Sequence, residues 1–129
     1  MASKEEEERL LKRSRDFLET SEYQRRNGIY DLAIFSLEQA LQLFLKSQIM
    51  AQGAEYPRTH SVRVLLEIFS AVVSENKKPA IKSILDDYLM ELGILEDAYI
   101  TSRYVSRDFT KLEADRLTKA VGEIIKLVK

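Results

Sequence analysis

The sequence predicts an all-α fold, an up-and-down four-helix bundle with a shorter fifth helix at the C-terminus. Three observations lead there. Apolar residues recur with the period of an α-helix in every long segment, and no segment alternates with period two over a useful length. Helix-stop and helix-start residues then divide the chain into pieces joined by short connections. At 129 residues the chain can bury one core without staples, so 1–129 is expected to be a single domain.

The first helix is expected to begin after Ser3, which with Glu6 matches a Ser-x-x-Glu capping box. Leu10, Phe17 and Ser21 face inward, with Leu11 and Leu18 beside them. The remaining positions interleave acids and bases. Glu5 with Arg9 and Glu8 with Lys12 are four apart in the favourable order, as on a solvated helix surface. Asn27-Gly28 ends the helix, because glycine adopts the left-handed conformation of a helix stop without a Cβ clash. The short connection forces the second helix to return antiparallel.

The second helix, from Tyr30 to Gln52, is apolar on nearly every side. Ala33, Leu37, Ala40 and Phe44 share one line, Leu32, Leu43 and Met50 a second, and Ile34, Leu41 and Leu45 a third. Such a helix must be surrounded by others. The strip left over holds Phe35, Glu38, Gln39, Gln42, Lys46 and Ile49, too mixed for simple solvated surface and too polar for ordinary core. Glu38, Gln42 and Lys46 are spaced by four, so the amide can bridge the opposite charges at the ends. An apolar residue among self-complementary polar ones suits a two-fold interface, and Phe35, Glu38, Gln42, Lys46 and Ile49 are expected to form a dimer or partner surface.

Gly53 stops the second helix, and Pro57 disfavours helix for Tyr56 before it. Thr59 is the expected N-cap of a third helix, whose apolar face is Val62, Leu65, Leu66, Phe69, Val72 and Val73. Pro79 suits the first turn of a fourth, where its missing N–H costs nothing. Ile81, Leu85, Tyr88, Leu92, Leu95 and Tyr99 make one continuous stripe along it. The pattern fails after Arg103. Thr110 and Glu113 form another capping box, after which Leu112, Leu117, Val121, Ile124 and Val128 line the final helix.

Twenty basic against twenty-one acidic residues leave a formal charge of −1, so the molecule as a whole has no field that would draw in nucleic acid. Cysteine is absent, which removes disulfides, thiol nucleophiles and cysteine-rich zinc sites and suits a reducing compartment. No apolar run approaches the length of a membrane span and the N-terminus has no signal-peptide core, so a cytoplasmic protein without membrane contact is expected. No phosphate loop, nucleophile elbow, His-Glu-x-x-His or Glu-x-x-His pair is present, so neither a metal nor another cofactor is expected.

His60 opens the third helix and has two readings, a hydrogen bond that closes its loop onto the bundle or a ligand or base role. Arg103, followed by Tyr104, continues the angular position of the fourth helix's stripe, which directs a guanidinium inward or along a cleft. There it either pairs with Glu96 or Glu38 or binds an anion.

These residues together resemble the HEPN domain family. Ala33, Phe35, Glu38-Gln39-Ala40 and Lys46 are similar to its second-helix signature, Thr59-His60 to its Thr-His step and Ser102-Arg103-Tyr104 to its Arg-Tyr signature, over a span from about Leu10 to Val128. The resemblance implies a helical bundle, commonly homodimeric. It also implies a place beside a minimal nucleotidyltransferase, where such proteins contribute to substrate binding or form half of a toxin–antitoxin pair. Other members are RNases with an Arg-x(4–6)-His motif. Here the arginine would have to stand at Gly53, Ala54 or Glu55, and Arg58 is too close, so that motif is absent. Val105 stands where a proline often follows the Arg-Tyr pair.

The expected function is a non-catalytic, homodimeric binding module that partners a minimal nucleotidyltransferase. It would hold a nucleotide or other anion at Lys46, His60, Arg103 and Tyr104. Two alternatives are an RNase using His60 with Arg103 in a nonstandard site and a purely structural scaffolding dimer.

Overall fold

The computed structural model describes the backbone of residues 4–104 and 108–129 and the side chains of residues 4–99 and 108–129. Among these residues it contains six α-helices, one 3-10 turn and no strand. The helices are α1 (Lys4–Arg26), α2 (Tyr30–Ala51), α3 (Val62–Val72), α4 (Lys78–Asp87), α5 (Leu89–Tyr104) and α6 (Lys111–Val128), with the 3-10 turn at Glu75–Lys77. None is long and apolar enough to cross a membrane. The Ser3 capping box lies outside the described residues.

α1 carries Glu5, Glu6 and Glu7 in its first turn and Arg25 and Arg26 in its last, so its charges oppose the helix dipole at both ends. It stops as its glycine predicts. Gly28 has φ 75°, the Gly28 N–H bonds to the Arg25 carbonyl at 3.2 Å, and the Ile29 N–H bonds to the Gln24 carbonyl at 2.8 Å. That pair of bonds is a Schellman motif. α2 ends the same way, with Gly53 at φ 84° and the Ala54 N–H reaching the Ile49 carbonyl at 3.3 Å.

α2 is the axis of the molecule, packed by α1, α3, α5 and α6. Ile34, Leu37, Leu41, Phe44, Leu45 and Ile49 are each at most 2% exposed and form the centre of the core with Leu65, Leu66, Leu92, Leu95, Val121 and Ile124. Its all-round apolar pattern has this enclosure as its cause. Leu32 departs from it and is about half exposed. α1 lies against α2 through small residues. Ser14 Oγ donates to the Ala40 carbonyl and Ser21 Oγ to the Ala33 carbonyl, both at 2.7 Å, with all four residues buried.

Four expectations are corrected. The N-cap of α3 is Ser61, whose hydroxyl accepts the Val64 N–H, while Thr59 accepts the Ser61 N–H just outside the helix. The predicted fourth helix is two, because Tyr88 leaves helical geometry at φ −114°, ψ 24°. The helix before it packs on α3 and α6, and the one after it mainly on α2, with further contact to α3 and α6. The final helix is not short: at 18 residues it exceeds α3, α4 and α5. Its Thr110–Glu113 capping box forms on both sides, but Leu112 points to solvent while Phe109 and Ala114 take the buried positions. An Asp31 carboxylate on α2 accepts the Phe109 N–H at 2.9 Å and holds the entry to α6 in place.

Candidate functional site

The polar strip of α2 faces into the subunit rather than out of it. Glu38 and Ile49 are 0% exposed, Gln42 4% and Lys46 8%, and Phe35 is half-buried. Glu38, Gln42, Lys46 and Ile49 are thus inside the subunit and not on the outward surface expected of them, while Phe35 keeps part of its surface exposed. Their polar atoms tolerate burial because they satisfy one another. Gln39 Nε2 donates to Glu38 Oε1 at 2.7 Å, Gln42 Nε2 to Glu38 Oε2 at 3.0 Å, and Lys46 Nζ to Gln42 Oε1 at 3.1 Å. The spacing of four stacks these side chains on one line of the helix, so the ladder follows directly from the sequence.

The loop between α2 and α3 closes over the basic end of this ladder. Lys46 Nζ stands 5.4 Å from the centre of the Tyr56 ring, a cation–π contact, and the Tyr56 hydroxyl reaches Glu6 of α1 at 3.3 Å. His60 then bonds through Nδ1 to Gln42 Oε1 at 3.1 Å. Its ring stacks on Tyr99 of α5, with centroids 4.9 Å apart and planes 21° apart. Lys46 and His60, two of the predicted ligand residues, are thus joined through one amide oxygen. Arg103 and Tyr104 lie in the last turn of α5, about one turn beyond Tyr99, and their side chains lie outside the described residues.

On the outer side of the His60–Tyr99 stack is a cleft of about 180 Å³ lined by His60, Ser61, Glu96 and Tyr99. Glu96 joins α5 to the start of α3. It accepts the Ser61 hydroxyl, the Arg63 N–H at 3.1 Å and the Arg63 guanidinium at 3.0 Å and 3.3 Å. The carboxylate expected to pair with Arg103 is therefore engaged by Arg63. Ser61, Glu96 and Tyr99 are cleft residues that the site expectation missed. The signal for Tyr99 was its place at the end of an apolar stripe, one turn before Arg103. Nothing local in the sequence marks Ser61, and Glu96 is marked only as a pairing partner for Arg103.

Burial dominates the electrostatics of the ladder. It pushes the Glu38 carboxyl up to about 7, against the opposing hydrogen bonds from Gln42 and Gln39 and the charge of Lys46. Burial also pulls Lys46 below the ordinary lysine range, and Glu38 opposes that shift. At Glu96 burial acts upward, but Arg63 and Ser61 together outweigh it and hold the carboxyl below its ordinary value. Among the described residues no group of three or more His, Asp or Glu side chains converges where a metal ion could be held.

Comparison with known proteins agrees with this architecture. The HEPN domain matches residues 7–129. The fold is similar to the crystal structure of ST0689, an archaeal HEPN homologue, at 23% identity and TM-score 0.66, covering 95% of this chain and 93% of that one. It is also similar to the crystal structure of TT1696 from Thermus thermophilus, at 22% identity and TM-score 0.61, covering 95% of this chain and 94% of that one. No curated protein matches the chain.

Proposed function

The chain belongs to the HEPN domain family, and from that premise we propose that it is a non-catalytic binding module that works as a homodimer. It holds a nucleotide at the His60–Tyr99 cleft and serves a minimal nucleotidyltransferase as its helical partner, in the manner of a toxin–antitoxin pair. The observation that carries this reading is the cleft itself. A stacked pair of rings forms one wall, an ammonium group stands behind it across one amide, and Ser61 and Glu96 complete a lining that is largely apolar. Such a wall suits a planar base, whose stacking is insensitive to sequence.

The size of the cleft supports the dimer. About 180 Å³ in one subunit is below the roughly 300–1,000 Å³ that ordinary ligand sites enclose, so a second surface is needed to complete it. A second copy meeting the same edge supplies one. The single histidine and the missing Arg-x(4–6)-His motif favour binding over RNA cleavage.

Isothermal calorimetry with a panel of nucleoside mono- and triphosphates tests the reading. The native protein should release heat with at least one of them. His60→Ala, which removes the outer ring of the stack, should weaken that binding by roughly tenfold or more. No heat from any nucleotide, together with no nucleotidyltransferase recovered on the protein from its host, would overturn it.

A further inference from the structure

Gln42 is 4% exposed and every hydrogen bond it makes has a direction. Its Nε2 donates to the Glu38 carboxylate, and its Oε1 receives both Lys46 Nζ and His60 Nδ1, each at 3.1 Å. Turned over, the amide would set its NH₂ group against an ammonium that has only donors and its oxygen against a carboxylate. The charges at the two ends of the ladder thus choose the orientation. Protonation of Glu38 leaves that choice in place, because Lys46 still requires an acceptor.

With an oxygen opposite, Nδ1 of His60 must be the protonated nitrogen. A neutral imidazole carries one N–H, so Nε2 is left as a bare acceptor. The ring is exposed and lines the cleft, and Nε2 has no hydrogen-bond partner among the described residues. We propose that Gln42, held between Glu38 and Lys46, is a positioning residue that locks His60 in the Nδ1–H tautomer and so presents Nε2 at the cleft as a hydrogen-bond acceptor. The consequence for ligands rests on the binding role argued above: the group met by neutral His60 is a donor, the exocyclic amine or sugar hydroxyl of a nucleoside, rather than an unprotonated phosphate oxygen. The tautomer itself does not depend on that role.

His60 is the one histidine of the chain, so nitrogen NMR of isotope-labelled protein reads its tautomer without ambiguity. In the native protein at alkaline pH the ratio of the Nδ1–H to the Nε2–H form should be roughly tenfold higher than in free histidine, the scale of one buried hydrogen bond, making Nδ1–H the major form. Gln42→Leu should return the ring to the Nε2–H form that free histidine prefers. Adenosine should then shift the Nε2 resonance of the native protein, and inorganic phosphate should not. A native protein in the Nε2–H form overturns the assignment, as does a Gln42→Leu protein whose tautomer is unchanged. If Gln42→Leu does not fold, the native spectrum alone decides. Failure of adenosine to shift Nε2 while the Nδ1–H form is present would defeat the assignment of a nucleoside donor to His60 and leave the tautomer assignment standing.

Discussion

Glu38 is the residue on which the interior of this protein turns. Its ordinary pKa is 4.5 and burial raises it to about 7, so the folded state favours the protonated form. The stabilising contribution is fully present below about 4.5 and is lost as the pH rises through about 7. A shift of that size corresponds to about 3 kcal/mol. Glu38→Gln cannot titrate, and the half-buried Gln39 can turn outward to accommodate the new amide. Urea denaturation of this variant should show roughly 2–3 kcal/mol less loss of stability between pH 4.5 and pH 8 than the native protein shows. Parallel pH profiles for the two proteins would contradict the assignment. The same residues show what the sequence could not disclose. A line of Glu, Gln and Lys at spacing four reads equally well as a partner-facing strip or as a ladder that satisfies itself in the interior. What decides between them is packing by elements distant in sequence, α5 along α2 and the loop of Tyr56 and His60 over the basic end, which is set only after folding.

At the scale of elements, most boundaries were legible because backbone chemistry sets them. Gly28 and Gly53 end helices where only glycine takes a positive φ cheaply, and Thr110 with Glu113 opens one by reciprocal capping. The break at Tyr88 was not legible. Neither Pro nor Gly stands there, and the apolar spacing continues in register from Ile84 to Leu92; both halves of the stripe pack on α3 and α6, and what distinguishes the second is its extensive packing on α2. The α1–α2 contact carries its own prediction. Ser14 and Ser21 are seven apart, as are Ala33 and Ala40 opposite them, and their small size lets the helices lie close enough for two hydroxyl-to-carbonyl bonds. Ser14→Leu should overpack this seam and cost about 1–3 kcal/mol in thermal or urea unfolding. Ser14→Ala should cost no more than about 1.5 kcal/mol. A Leu variant as stable as the native protein would mean that the seam is looser than its geometry indicates.

For the molecule as a whole, family membership and the enclosing bundle were readable from the order of weak motifs on successive helices, but the outward face was not. Four of the five residues expected to meet a partner are buried, so the two-fold contact proposed above is assigned to the exposed side of the cleft. Val64 is placed for this: it is 38% exposed and follows Ser61 by three positions, on the same side of α3 as the cleft serine. An aspartate there would put an unpaired charge into the proposed two-fold contact and weaken it. The central claim is that one subunit carries half of a binding site and two complete it, and light scattering of the native protein beside Val64→Asp tests it most directly. The account predicts a native mass twice the 14.9 kDa of the chain, and a Val64→Asp protein of single mass that no longer binds nucleotide. A native protein that stays at 14.9 kDa and binds nucleotide fully would contradict it.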